Sequence, residues 1–105
     1  MPQFTVHKNK NPDTRARVPY VLDIQNNLLG GLETRVVIPL YAAEALEGKS
    51  LTGLTPIIEI GGKSYLAMTP QLASISKKEL GAEVAEATAY RDHIIAALDF
   101  LITGI

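Results

Sequence analysis

The chain of 105 residues contains no cysteine. That excludes a disulfide framework, a thiolate zinc site and a cysteine nucleophile, and it fits a reducing compartment. Positive charge is not in excess: 10 Lys and Arg stand against 11 Asp and Glu, a net charge of −1. A protein whose main task is to grip nucleic-acid phosphates normally carries a basic surplus, so direct sequence-specific nucleic-acid binding is not expected. No apolar run reaches membrane length. Residues 94–102 come nearest, are interrupted by Asp99, and fall short of the about 20 residues a spanning helix needs. Residues 1–10 hold no apolar signal core, so a cytoplasmic protein is expected. Internal repeats and low-complexity tracts are absent as well.

What is present is an ordinary globular composition, 47% hydrophobic and 20% charged. It rules out intrinsic disorder, and the length allows one domain, residues 1–105. Phe4 and Val6 alternate with polar neighbours over residues 3–8, the period of a half-buried strand on which His7 faces away from them. Residues 9–17 are polar and broken by Asn11-Pro12-Asp13. Residues 18–24 read as a second strand, with Pro19 at its start or on an edge. Asn26-Asn27 and Gly30-Gly31 mark a loop that nevertheless contains Leu28, Leu29 and Leu32. The run from Arg35 to Leu40 predicts a strand covered on both faces, and residues 42–47 one or two helical turns stopped by Gly48. Gly61-Gly62 sits between two strand-like segments, 55–60 and 63–68; such a pair tolerates positive φ at both positions and predicts a tight hairpin. Residues 69–76 are less regular, with a short strand near Ile75.

The chain closes with a helix from about Ala89 to Ile102, with Thr88 as N-cap and Asp92 in an early turn where negative charge suits the helix dipole. Tyr90, Ile94, Ala97, Leu98 and Leu101 recur at helical spacing as the stripe that packs on the sheet. Ile95 and Phe100 widen this stripe. Two readings fit: a helix sunk between the sheet and a loop, or a second contact surface. Several strands before one terminal helix indicate a mainly β, α+β fold with an antiparallel sheet.

Residues suited to chemistry are sparse. His7 and His93 are the only histidines, and no third ligand stands at metal spacing. A Ser-His-Asp set has no nucleophile elbow to support it, and the glycine pairs lack the spacing and lysine of a phosphate loop. Glu79, Glu83 and Glu86 read as solvated carboxylates. Lys8, Lys10, Arg15 and Arg17 gather in the first loop, either as a soluble hairpin tip or as an electropositive lip for an acidic peptide or RNA. The end, Ile102-Thr103-Gly104-Ile105, is apolar directly after a helix. Its last residue is either tucked into the core or offered to a partner.

These segments, in this order, resemble the CcdB toxin family. The carrying pieces are Gln3-Phe4-Thr5-Val6, Val21-Leu22-Asp23-Ile24-Gln25, Arg35-Val36-Val37-Ile38-Pro39-Leu40, Pro56-Ile57-Ile58-Glu59-Ile60, Met68-Thr69 leading to Ala73-Ser74-Ile75, and the Gly104-Ile105 ending. The resemblance implies an SH3-like barrel with an antiparallel sheet and one C-terminal α-helix, acting as a homodimer. It implies a poison of the DNA gyrase A subunit that traps the cleaved-DNA complex, not an enzyme, with no catalytic residue, metal or cofactor. A CcdA-like antitoxin would neutralise it through a disordered segment that folds on the toxin. The family's gyrase surface maps onto Leu28, Leu29, Gly104 and Ile105. The best-known members have a Trp before the final Gly-Ile; here Thr103 stands there and supplies no stacking contact, which leaves Asp99 as an alternative polar contact. Lys8, Lys10, Arg15 and Arg17 then become expected antitoxin contacts. Two rivals stand beside this reading. One is a barrel-fold endoribonuclease toxin, for which Arg35 and the first-loop cations are the available groups; the other is a non-toxic homologue that only binds antitoxin.

Overall fold

The computed structural model describes residues 2–46, 48 and 50–104. Seven strands form one antiparallel sheet: β1 (Thr5–Asn9), β2 (Tyr20–Asp23), β3 (Thr34–Ala42), β4 (Ile57–Ile60), β5 (Lys63–Ala67), β6 (Ala73–Ser76) and β7 (Leu80–Glu86). The order is β4-β5-β3-β2-β1-β7, with β6 also paired to β3. Among the described residues one α-helix, α1 (Arg91–Thr103), follows. The sheet curls into a half-barrel, and the mainly β, α+β architecture expected from the sequence is the one observed.

β3 is the hub of the sheet. Its first half pairs with β6 through Thr34 to Val37, and its second half with β5 through Leu40 to Ala42. Pro39 falls at the change of partner, where its missing N–H leaves no ladder bond unmade. Its carbonyl accepts the Met68 N–H at 3.0 Å. The Gly61-Gly62 turn joins Ile60 to Lys63, with φ of 59° and 83°, so the predicted hairpin forms in the left-handed region that glycine alone enters freely.

The two faces of the sheet carry different cores. One holds Val6, Leu22, Ile38, Leu40 and Ile58 together with Ile94 of the helix, with Ile95 and Leu98 packed against it; Ala97 is buried as well. Tyr20 and Tyr65 meet there edge to face, with centroids 5.2 Å apart; burial and the neighbouring Tyr20 push the Tyr65 phenol up. The other face holds Val18, Val21, Val37 and Leu80. Thr5, His7, Asp23 and Arg35 are buried as well, so β1 is covered on both sides rather than half-buried.

Two local expectations change. Residues 80–86 form a strand, β7, that their small and acidic residues did not signal. It pairs with β1 across register shifts at His7. Gly81 is required there because a Cβ would come within 2.8 Å of the Lys8 carbonyl oxygen. Thr88 is not the helix cap. Residues Thr88–Tyr90 make a 3-10 turn and α1 begins at Arg91 without a side-chain cap. The fully buried Ala87 explains this: its N–H donates to the Phe4 carbonyl at 2.8 Å, so tertiary bonding directs the chain into the helix. Phe4 itself lies just before β1 with φ 67°. It is held by its N–H donating to the Asp23 carbonyl and by its ring in the core. The helical turn after β3 is a short 3-10 turn, Ala43–Leu46.

Candidate functional site

Three elements carry the residues that the sequence singled out. The first is the turn between β2 and β3. Asn27–Leu29 form a 3-10 turn whose Asn26 side chain accepts the Leu28 N–H at 2.8 Å. This is the local Asx closure expected of an Asn before a turn. Leu28 is 92% exposed, and Leu29 and Leu32 are about half exposed. The turn is nevertheless tied down. The Gln3 N–H donates to Asn27 Oδ1 at 2.7 Å, Lys77 Nζ to the Gly30 carbonyl at 2.7 Å, and Gln25 Nε2 to the Leu29 carbonyl at 3.0 Å.

The second element is the end of α1. Asp99 and Thr103 are exposed and share its last turn. The Thr103 hydroxyl donates to the Asp99 carbonyl at 2.6 Å. Gly104 is the C-cap at φ 77°, its N–H donating to the Phe100 carbonyl at 2.9 Å. The left-handed cap is a structural reason for glycine at that position. Ile105 lies outside the described residues. Ile102 is 77% exposed. The flanks of the broad stripe fit a helix set between the sheet and a loop. Ile95 packs against the core, and the Phe100 ring lies 3.3 Å from where a Gly53 Cβ would stand, against the 50–55 loop; Ile102 is claimed by neither.

The third element is the connection from β1 to β2. Lys10, Arg15 and Arg17 lie in it and Lys8 stands near the end of β1 beside it; all four are exposed. Its backbone is ordered by Asn9, whose Nδ2 donates to Thr14 Oγ1 and to the Val18 carbonyl, and by Asn11, whose Oδ1 accepts the Asp13 N–H. The exposed cations thus stand on and beside a loop held by its own hydrogen bonds.

The groups with chemical potential are placed differently. Arg35 is 1% exposed and Asp23 0%; Arg35 Nε and Nη2 both donate to Asp23 Oδ2, at 2.9 and 2.8 Å. This guanidinium is buried and out of reach of a solvent-borne phosphate. His7 is also buried, with Nδ1 3.1 Å from the Gly81 carbonyl. A carbonyl only accepts, so Nδ1 carries the proton. The other ring nitrogen, Nε2, is buried and has no hydrogen-bond partner among the described residues. His93 is exposed and lines a groove of about 570 Å³ between α1 and the 50–57 loop, with Leu51, Ile57, Tyr90 and Ala96. Among the described residues no three His, Cys, Asp or Glu side chains cluster as metal ligands, and no helix is long and apolar enough to cross a membrane.

Two features were not anticipated. One is the 50–57 groove, whose Leu51 and Ile57 are scattered in a segment without periodicity. The other is the buried bonding of Gln25 beneath the leucine turn; the Asn26-Asn27 pair beside it was the available signal.

With this geometry in place, the family is decided by a match of the CcdB protein family model to residues 3–104. The chain belongs to the CcdB family. Among solved structures, an endoribonuclease in complex with its cognate antitoxin from a mycobacterial species has a similar fold. The TM-score is 0.75 at 15% sequence identity, over 97% of this chain and 94% of that one. Membership in the CcdB family suggests a toxin of a toxin–antitoxin system, and the fold is shared with that endoribonuclease.

Proposed function

We propose that this CcdB family member is a cytoplasmic, homodimeric toxin that binds the DNA gyrase A subunit and traps its cleaved-DNA complex, and that a CcdA-like antitoxin neutralises it. The reading rests on family membership and on one observation above all. The chain leaves large apolar side chains, Leu28 at the β2–β3 turn and Ile102 at the helix end, outside its own core. Exposed apolar side chains on pinned elements suit a contact surface, because little ordering is left to be done on binding. Mechanism on this reading is stoichiometric. Leu28, Leu29 and the helix end with Asp99, Thr103, Gly104 and Ile105 wedge against gyrase A, and the toxin makes and breaks no bond. The rim of Lys8, Lys10, Arg15 and Arg17 attracts an acidic antitoxin segment, whose folding on the toxin offsets part of the contact energy.

The deciding experiment is induced expression in cells carrying wild-type gyrase and in cells altered at the gyrase A cavity. Growth arrest restricted to the first supports gyrase poisoning. Arrest in both, with specific cleavage of cellular RNA by the purified protein, establishes the endoribonuclease reading instead. That second reading is favoured by the mycobacterial endoribonuclease of similar fold and opposed by the burial of Arg35 in its pair with Asp23. No arrest in either strain, with retained antitoxin binding, identifies a non-toxic homologue.

A further inference from the structure

We propose that Gln25, seated on the buried Asp23–Arg35 pair, is a positioning residue that holds the leucine turn in its binding shape before a partner arrives. The proposal rests on the reading of that turn as a partner surface. The turn cannot hold itself by packing, since none of the residues Asn27–Leu29 is buried. It depends on hydrogen bonds. Those from Gln3, Asn26 and Lys77 are exposed, so water competes for them. The bond from Gln25 Nε2 to the Leu29 carbonyl issues from a residue only 6% exposed.

Gln25 is fixed at every polar position. Its N–H donates to Asp23 Oδ1 at 3.0 Å, its Oε1 accepts the Val36 N–H at 3.0 Å, and its carbonyl accepts Arg35 Nη2 at 3.4 Å. Arg35 also reaches beneath the turn, its Nη1 lying 3.9 Å from where a Gly30 Cβ would stand. The line of support runs from Asp23 through Arg35 and Gln25 to Leu29. A buried ion pair is weak evidence for stability, because apolar side chains of similar volume often do as well. Apolar side chains would offer no donor to aim at the turn, however, and that is what this pair contributes through Gln25.

The test uses the full chain and two variants: Gln25→Met, and Asp23→Leu combined with Arg35→Met, which keeps the volume apolar if the first folds poorly. Amide exchange is followed at Leu29 and Gly30, whose N–H groups donate to Asn26 and Asn27 carbonyls, with Leu22 and Ile38 as references in the β2–β3 ladder. The expected result is exchange at the turn at least about tenfold faster with the ladder unchanged, and affinity for purified gyrase A lower by about ten- to a hundredfold, the scale of re-ordering a few residues on binding. Unchanged exchange at the turn in a folded variant overturns the proposal. So does a loosened turn with unchanged gyrase A affinity when Leu29→Glu, measured in parallel, lowers that affinity. If Leu29→Glu also binds gyrase A normally while the turn loosens, positioning stands and gyrase A is removed as the partner. A uniform rise in exchange across turn and ladder means a merely structural role and counts against the proposal.

Discussion

Replacing Arg35 by Leu asks directly what the buried pair contributes. The substitution removes both guanidinium bonds to Asp23 Oδ2. It leaves a carboxylate with no solvent exposure and the Gln25 N–H on its other oxygen. Breaking a buried pair from one side costs about 3–5 kcal/mol, because the remaining charge is uncompensated. Domains of this size have about 5–15 kcal/mol in total, so the variant sits near the edge of folding. With a urea slope of about 1.5 kcal/mol/M, the midpoint falls by about 2–3 M. Urea unfolding followed by far-UV circular dichroism, at one fixed protein concentration because self-association shifts the midpoint, measures this. The combined Asp23→Leu and Arg35→Met variant serves as control and is expected at or above wild-type stability, by about 0–4 kcal/mol. A single variant within about 0.5 kcal/mol of wild type, the range of ordinary surface changes, would refute the burial argument. A combined variant as unstable as the single one would show that hydrogen bonding through Gln25, rather than the stranded charge, dominates.

Ile94→Ala removes the fully buried centre of the helix stripe and is expected to cost about 2–5 kcal/mol, read by thermal unfolding. Gly81→Ala places a Cβ within 2.8 Å of the Lys8 carbonyl oxygen; a loss of about 1–3 kcal/mol is expected, with faster amide exchange confined to β1 and β7. Leu28→Glu, at a 92% exposed position, is expected to leave stability within about 0.5 kcal/mol while weakening gyrase A binding in calorimetry. Thr103→Trp restores an aromatic before Gly104. On the gyrase reading it tightens binding by roughly two- to thirtyfold, the worth of a stacking or cation–π contact; no change would place that position off the interface.

Much of the fold could be read from residues in order. Alternation around Val6, the apolar run in β3 and the Gly61-Gly62 turn are local signals, each complete within a few residues. The helix stripe is local in the same sense. β7 was not legible, because Leu80-Gly81-Ala82-Glu83 carries little β-propensity of its own; it becomes a strand through the bonds β1 offers. The candidate surface divides similarly. Exposure of Leu28 and of Lys10, Arg15 and Arg17 follows from their loops, while the order beneath them comes from Gln3, Asn9, Gln25 and Lys77.

Composition, hydrophobic period and turn chemistry thus determined that this is a small antiparallel β protein closed by one helix, without cysteine chemistry and with leucines stranded in a loop. Those properties depend on neighbours along the chain. Only the tertiary structure decided that Arg35 is a buried strut and not a surface cation, that Thr88 caps nothing, and that the face carrying His7 is covered, with His7 buried against Gly81. In each case the deciding partner is remote in sequence, and burial, which sets what a charge or a polar atom can do, is a property of the assembled sheet.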